Sequence, residues 1–99
     1  MKLPDKELTT YPALKAFIEG EGITVLEVST RTTQLCGKAR HSTQTIYIYP
    51  LAFKEDAAYQ TLLHEYIHLF LGHKFGHGRL FKQLMQSYGF KQKDRHLCE

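Results

Sequence analysis

The chain has 99 residues, 42% of them hydrophobic, and a formal net charge of +3. This length fits one domain with a modest core, and the ordinary composition excludes collagen-like, low-complexity and repeat classes. No apolar run is long enough to cross a bilayer, and the N-terminal residues mix charged with apolar side chains, unlike a signal peptide. We therefore expect a cytoplasmic protein with one domain over residues 1–99, in which residues 90–99 form a tail, and no membrane partner.

Charge is distributed unevenly along the chain. Residues 1–65 hold seven Lys/Arg and eight Asp/Glu, whereas residues 66–99 hold six and two. A basic C-terminal third can bind nucleic acid or an acidic partner, although the same charges also suit a solvated surface. The two cysteines, Cys36 and Cys98, form no CxxC pair and are too few for a disulfide scaffold, so we expect two reduced thiols.

The first part of the chain predicts a helix followed by a strand. Apolar residues recur at helical spacing over Leu8–Gly20, with Thr10 as the N-cap and Pro12 in the first turn. The β-branched run Ile23–Val28 predicts a strand. Residues 29–35 fit either an extension of this strand or a loop.

A hairpin is predicted next. Residues Cys36–His41 and Thr45–Tyr49 flank the polar turn Ser42–Gln44, and the second run, TIYIY, consists of strong strand formers. Pro50 ends that strand. Together with the preceding strand, the hairpin predicts a three-stranded antiparallel sheet, and so an α+β fold in which about three helices pack on the sheet.

The main helix is predicted over Glu55–Leu71. Glu55 and Asp56 place negative charge in its first turn, which favours the positive end of the helix dipole. Its apolar residues follow one continuous stripe at helical spacing: Tyr59, Leu62, Leu63, Tyr66, Ile67 and Phe70. A last amphipathic helix is predicted over Gly78–Tyr88, where Gly89 ends it.

The main helix carries the chemistry of the sequence, in the pattern HExxH formed by His64, Glu65 and His68. Histidines four apart on a helix project one turn above the other, so both imidazoles can reach one ion with the glutamate close by. Zinc takes nitrogen ligands in a tetrahedron, and a catalytic site keeps the fourth position for water. Small residues lie in a row with the pair and would leave space for an ion and a substrate: Ala57, Thr61 and Gly72. His41 and His96 are expected to be ordinary surface histidines.

A third ligand must come from elsewhere in the chain. After the motif the only acids are Asp94 and Glu99 in the predicted tail, which disfavours a carboxylate, and the spacing HExxHxxGxxH does not fit this sequence. His73 directly follows the helix-ending glycine, a short link that would aim it outward. His77 begins the next helix and can be turned beneath the first two histidines. We therefore favour His77 and keep His73 as the alternative.

Three segments resemble the SprT-like family of zinc metallopeptidases, which includes the Spartan proteases that act on DNA–protein crosslinks. CGKARHSTQTIYIYP is similar to the family's hairpin, TLLHEYIH to its active-site helix, and HGRLFKQLM to its HGxxF segment. The resemblance implies a zincin-like fold, Zn²⁺ as the cofactor, His64, His68 and His77 as its ligands, and Glu65 as the general base. The link between the second and third histidines is shorter than in many members, and these residues cannot build the family's four-cysteine zinc ribbon.

The function predicted from these features is zinc-dependent hydrolysis of peptide bonds, with a protein or peptide as the substrate. We expect an extended peptide to bind along an exposed sheet edge, at the strand Thr45–Tyr49. Candidate oxyanion stabilisers are Tyr47, Tyr49 and Arg79. The alternative is a non-catalytic module, stabilised by zinc, that binds nucleic acid or an acidic protein through its basic C-terminal third.

Overall fold

The fold is described from a computed structural model over residues 1–29, 35–72 and 78–90. The elements in these ranges are α1 (Tyr11–Gly20), β1 (Thr24–Glu27), β2 (Gly37–Arg40), a 3-10 turn (His41–Thr43), β3 (Thr45–Ile48), α2 (Pro50–Lys54), α3 (Ala58–Leu71) and α4 (Arg79–Ser87). Most of the predicted stretch 29–35, and all of the predicted tail after residue 90, lie outside these ranges. Within the described ranges, no helix combines the length and apolar character needed to cross a bilayer.

Helix α1 begins where its cap predicts. The Thr10 side chain accepts a hydrogen bond from the backbone N–H of Ala13 at 3.4 Å, and Pro12 lies in the first turn. The helix therefore starts at Tyr11 rather than Leu8, because the cap residue itself has an extended backbone. Leu14 and Ile18 are fully buried against the core.

The sheet is mixed, so the prediction of a purely antiparallel sheet was wrong. The strand order is β1-β3-β2, with β1 parallel to β3 and β2 antiparallel to β3. The hairpin of β2 and β3 is confirmed, with Gly37 opposite Ile48 and Arg40 opposite Thr45. Strand β3 lies at the centre, where Ile46 and Ile48 are completely buried, whereas β1 lies at an edge and its Leu26 is 45% exposed. Periodicity identifies a strand but not the direction of its neighbour.

The predicted long helix over 55–71 is interrupted. Pro50 starts a separate short helix, α2, and Glu55 and Asp56 lie between α2 and α3. Asp56 has a φ of 53°, the left-handed region, which breaks the helical run. The first turn of α3 contains no acid, so the predicted dipole role of these two carboxylates was wrong.

Helix α3 lies at the centre of the fold and contacts β2, β3, α1 and α4. Its residues Thr61–Leu69 are all buried, which is the pattern of a helix enclosed on every side rather than along one stripe. The core gathers apolar side chains from all parts of the described chain: Leu14, Ile18, Ile23, Val25, Cys36, Ile46, Ile48, Ala52, Leu62, Leu63, Tyr66, Ile67, Leu69, Phe81 and Met85.

Three tyrosine hydroxyls connect residues 2–8 to the helices through hydrogen bonds. Tyr59 and Tyr66 of α3 donate to the carbonyls of residues 8 and 2, and Tyr88, just after α4, donates to that of residue 4. Burial raises the pKa of Tyr66 to about 12, so this phenol remains a donor through the neutral range. The N-terminal segment thereby links α3 to the end of α4.

The approach of β2 to α3 is closest at Gly37. A Cβ atom at this position would lie 2.5 Å from Thr61 Cγ2, 3.1 Å from the carbonyl oxygen of Tyr47 and 3.4 Å from Glu65 Cγ. The first of these distances is shorter than two carbon atoms tolerate. Only glycine therefore lets the strand pass this close to the helix.

Replacing Gly37 by alanine should lower the free energy of unfolding by roughly 1–3 kcal/mol, the usual cost of overpacking a core. The measurement is urea unfolding followed by circular dichroism. Thr61→Ser removes the clashing methyl group, so the double variant Gly37→Ala/Thr61→Ser should recover part of the loss.

Gly20→Ala is the matched control, because a Cβ there meets no atom within 4 Å. It should leave stability unchanged or raise it slightly. Wild-type stability in Gly37→Ala would contradict the proposed close packing of β2 on α3.

Candidate metal centre

Helix α3 brings His64 and His68 together as their spacing predicts. Their Nε2 atoms lie 3.1 Å apart, and their rings are inclined by 70° with centroids 4.7 Å apart. Potential ligand atoms of His64, Glu65 and His68 all lie within 4.8 Å of one another. His64 and Glu65 are fully buried and His68 is 7% exposed. Three side chains capable of binding metal therefore meet inside the protein.

The spacing of the two imidazoles fits a tetrahedral metal ion. Zinc binds histidine nitrogen at about 2.0–2.1 Å, so two such ligands in a tetrahedron lie about 3.3 Å apart. The observed Nε2 separation of 3.1 Å is close to this value. The two nitrogens could thus share one ion with little rearrangement, while the Glu65 carboxylate lies next to them.

Phe81 of α4 packs on both histidines. Its ring stacks on His68, with centroids 4.5 Å apart and planes inclined by 25°, and it meets His64 edge to face at 4.7 Å. The sequence placed Phe81 in the last amphipathic helix and in the HGxxF segment, but indicated no contact with the two histidines. Its position four residues after His77, within the segment HGRLF, was the signal that could have linked it to the site.

His41 also reaches the site, through the backbone. Its Nε2 lies 3.1 Å from the carbonyl oxygen of His68, so the imidazole donates a hydrogen bond to the end of α3. The prediction of an ordinary surface histidine was therefore wrong for His41, which is half-buried. Local sequence cannot show this contact because it joins residues 27 apart.

The sequence suggested that the small residue Thr61 would leave space for an ion and a substrate, and this prediction was wrong. Its methyl group lies where a side chain on Gly37 would project, so strand β2 occupies that volume. Cys36 precedes this strand as a buried free thiol. Burial raises the pKa of that thiol, although a hydrogen bond from Thr61 opposes the shift, and the group remains protonated at neutral pH.

Of the remaining predicted site residues, some lie outside the described ranges and Tyr47 faces away from α3. His73 and His77 lie outside the described residues, as do His96 and Cys98. Tyr47 alternates with the buried Ile46 and Ile48, so it projects from the face of the sheet opposite α3. This orientation disfavours Tyr47 as an oxyanion stabiliser for a centre on α3.

A comparison of the sequence with models of protein families identifies the family of this chain. Residues 12–97 match the model of the SprT-like family. Because this match covers most of the chain, the protein belongs to the SprT-like family. A comparison with curated proteins finds no significant match.

On the hypothesis that His64 and His68 bind zinc, Phe81→Leu should weaken that binding about tenfold, because groups that orient metal ligands typically influence affinity by about 10–100-fold. Loss of the ring removes the stacking contact that holds the His68 imidazole. The affinity can be measured by competition with a chromophoric chelator.

Met85→Leu is the control for general core damage, since Met85 is buried on the same helix and the change conserves volume. It should retain wild-type affinity. Equal zinc affinity in Phe81→Leu and the wild type would show that the ring does not position the histidines.

Proposed function

We propose that this chain is a zinc-dependent metallopeptidase in which His64 and His68 bind the ion and Glu65 acts as the general base. One observation carries the proposal: the buried group of His64, Glu65 and His68, with potential ligand atoms within 4.8 Å of one another on the central helix. Membership of the SprT-like family supports the same reading.

His77 is proposed as the third ligand, with His73 as the alternative. Either residue would complete three imidazoles, a set that zinc accepts in catalytic sites. When bound, zinc supplies Lewis acidity, which lowers the pKa of a coordinated water towards about 7 and polarises a carbonyl group. His41 holds the backbone carbonyl of His68, and Phe81 stacks on the His68 ring. Both residues would restrict how that ligand moves.

Glu65 is proposed to move the proton. Its side chain is fully buried beside both imidazoles and within contact range of β2. A carboxylate in this position would accept a proton from the attacking water and deliver it to the leaving amine of the peptide. A purely structural metal site would have no need of such a group.

The prediction of the strand Thr45–Tyr49 as an exposed edge for peptide binding was wrong. The strand Thr45–Tyr49 contains β3, which is paired on both sides and therefore presents no free edge. Among the described strands, β2 lies at an edge of the sheet. It runs alongside α3 from Gly37, beside Thr61, to His41, which bonds to the His68 carbonyl. We propose that an extended peptide adds to β2 and passes beside the three clustered residues.

Glu65→Gln should retain zinc but lower peptide hydrolysis by about 10²–10⁴-fold, the range for loss of a general base. Zinc content by mass spectrometry and cleavage of an unstructured fluorogenic protein substrate are measured on the same preparation. Glu55→Gln, an exposed change of identical chemistry outside α3, should leave both unchanged.

Hydrolysis at the wild-type rate by Glu65→Gln would contradict the mechanism. If zinc-loaded wild type cleaves no peptide under any condition, the non-catalytic alternative is favoured instead.

A further inference from the structure

The outer face of β2 carries two exposed cations, Lys38 and Arg40. They alternate with Gly37 and Ala39, whose positions face the core, so the two cationic side chains project away from α3. Together with Tyr47 and Tyr49 they border a shallow depression of about 140 Å³. Within the ranges described above, neither cation forms an ion pair.

No acidic side chain on the described strands compensates this positive charge. The one acid in the three strands is Glu27 of β1. Its carboxylate accepts hydrogen bonds from Tyr11 Oη at 2.9 Å and Lys15 Nζ at 3.2 Å, both on α1. It is therefore drawn to the helical side of the sheet, and the outer face keeps its two positive charges.

The register of the sheet leaves one edge of β2 directed away from β3. Lys38 lies opposite Tyr47 and Arg40 opposite Thr45, and the Tyr49 N–H bonds to the Cys36 carbonyl at 2.9 Å. Cys36 and Tyr49 therefore form a hydrogen-bonded pair. Bonded and non-bonded pairs alternate along an antiparallel ladder, so Lys38 and Arg40 also bond to β3, and the N–H and C=O groups of Gly37 and Ala39 point away from β3. A peptide can form main-chain hydrogen bonds with these groups, whereas the backbone of a nucleic acid has no N–H groups that repeat at the spacing of a strand.

We propose that Lys38 and Arg40 select peptide substrates with acidic residues at two positions separated by one residue. This inference rests on the proposed function, since it assumes a peptide bound along β2. Side chains of an added strand alternate between faces, and those on the outer face lie beside Lys38 and Arg40 at about 4.5–5.5 Å between Cβ atoms. The two cations repeat every second residue, which matches the period of an extended peptide.

The test uses three libraries of peptides of equal length that differ only in one pair of residues two apart: Asp-Xaa-Asp, Asn-Xaa-Asn or Lys-Xaa-Lys. Within each library, the pair is placed in turn at every position of the peptide. At its best position, the acidic pair should raise kcat/KM about fivefold over the neutral pair, and the basic pair should lower it. The difference should shrink at high salt because both cations are exposed.

The double variant Lys38→Glu/Arg40→Glu should reverse this preference, favouring the basic pair. Lys54→Glu/Lys82→Glu makes the same change in net charge on α2 and α4 and should keep the wild-type preference. Reversal in both double variants would overturn the assignment to β2, since overall charge would then explain the selection.

Peptide binding to Glu65→Gln, followed by fluorescence anisotropy, separates this inference from the proposed function. If peptides are cleaved without any charge preference, the inference fails and the proposed function stands. If no peptide is cleaved, the proposed function fails. In that case, binding of acidic peptides to Glu65→Gln at least fivefold tighter than binding of basic peptides would still support the role of Lys38 and Arg40. Tighter binding of single-stranded DNA than of any peptide, lost in Lys38→Glu/Arg40→Glu, would overturn it.

Discussion

The structure depends on the close approach of β2 to α3 at Gly37. Because this residue has no side chain, the strand lies against Thr61 and Glu65. The same placement brings His41, just after β2, to the carbonyl of His68. One edge of the sheet therefore runs beside both ends of the HExxH segment. A larger residue at position 37 would separate the strand from the helix that carries the clustered histidines.

The candidate centre is held from three directions. Helix α3 sets the spacing of His64 and His68, Phe81 of α4 packs on both rings, and His41 anchors the backbone at His68. Tyr66 of α3 and Tyr88, just after α4, both bond to the N-terminal segment and so link the same two helices. In a chain of 99 residues with a small core, such cross-links restrict relative movement of α3 and α4.

Sequence patterns correctly predicted the features that depend on residues close together in the chain. The cap at Thr10, the hairpin of β2 and β3, and the pairing of His64 with His68 all follow from residues a few positions apart. The parallel pairing of β1 with β3 and the contacts of His41 and Phe81 depend on tertiary packing, which periodicity does not encode. The break before α3 arises from the left-handed backbone at Asp56, although acidic residues at that point also suited a helix start.

We propose that one zinc ion is bound by His64, His68 and a histidine that follows α3 in the sequence. The most direct test is the zinc content per chain, by mass spectrometry, of wild type and of His64→Ala, His73→Ala and His77→Ala. We expect about one zinc per chain in wild type and His73→Ala, and loss of zinc in the other two variants. Absence of zinc from wild type after reconstitution, or full retention in His64→Ala, would contradict the claim. Loss in His73→Ala with retention in His77→Ala would keep the centre but transfer the third position to His73.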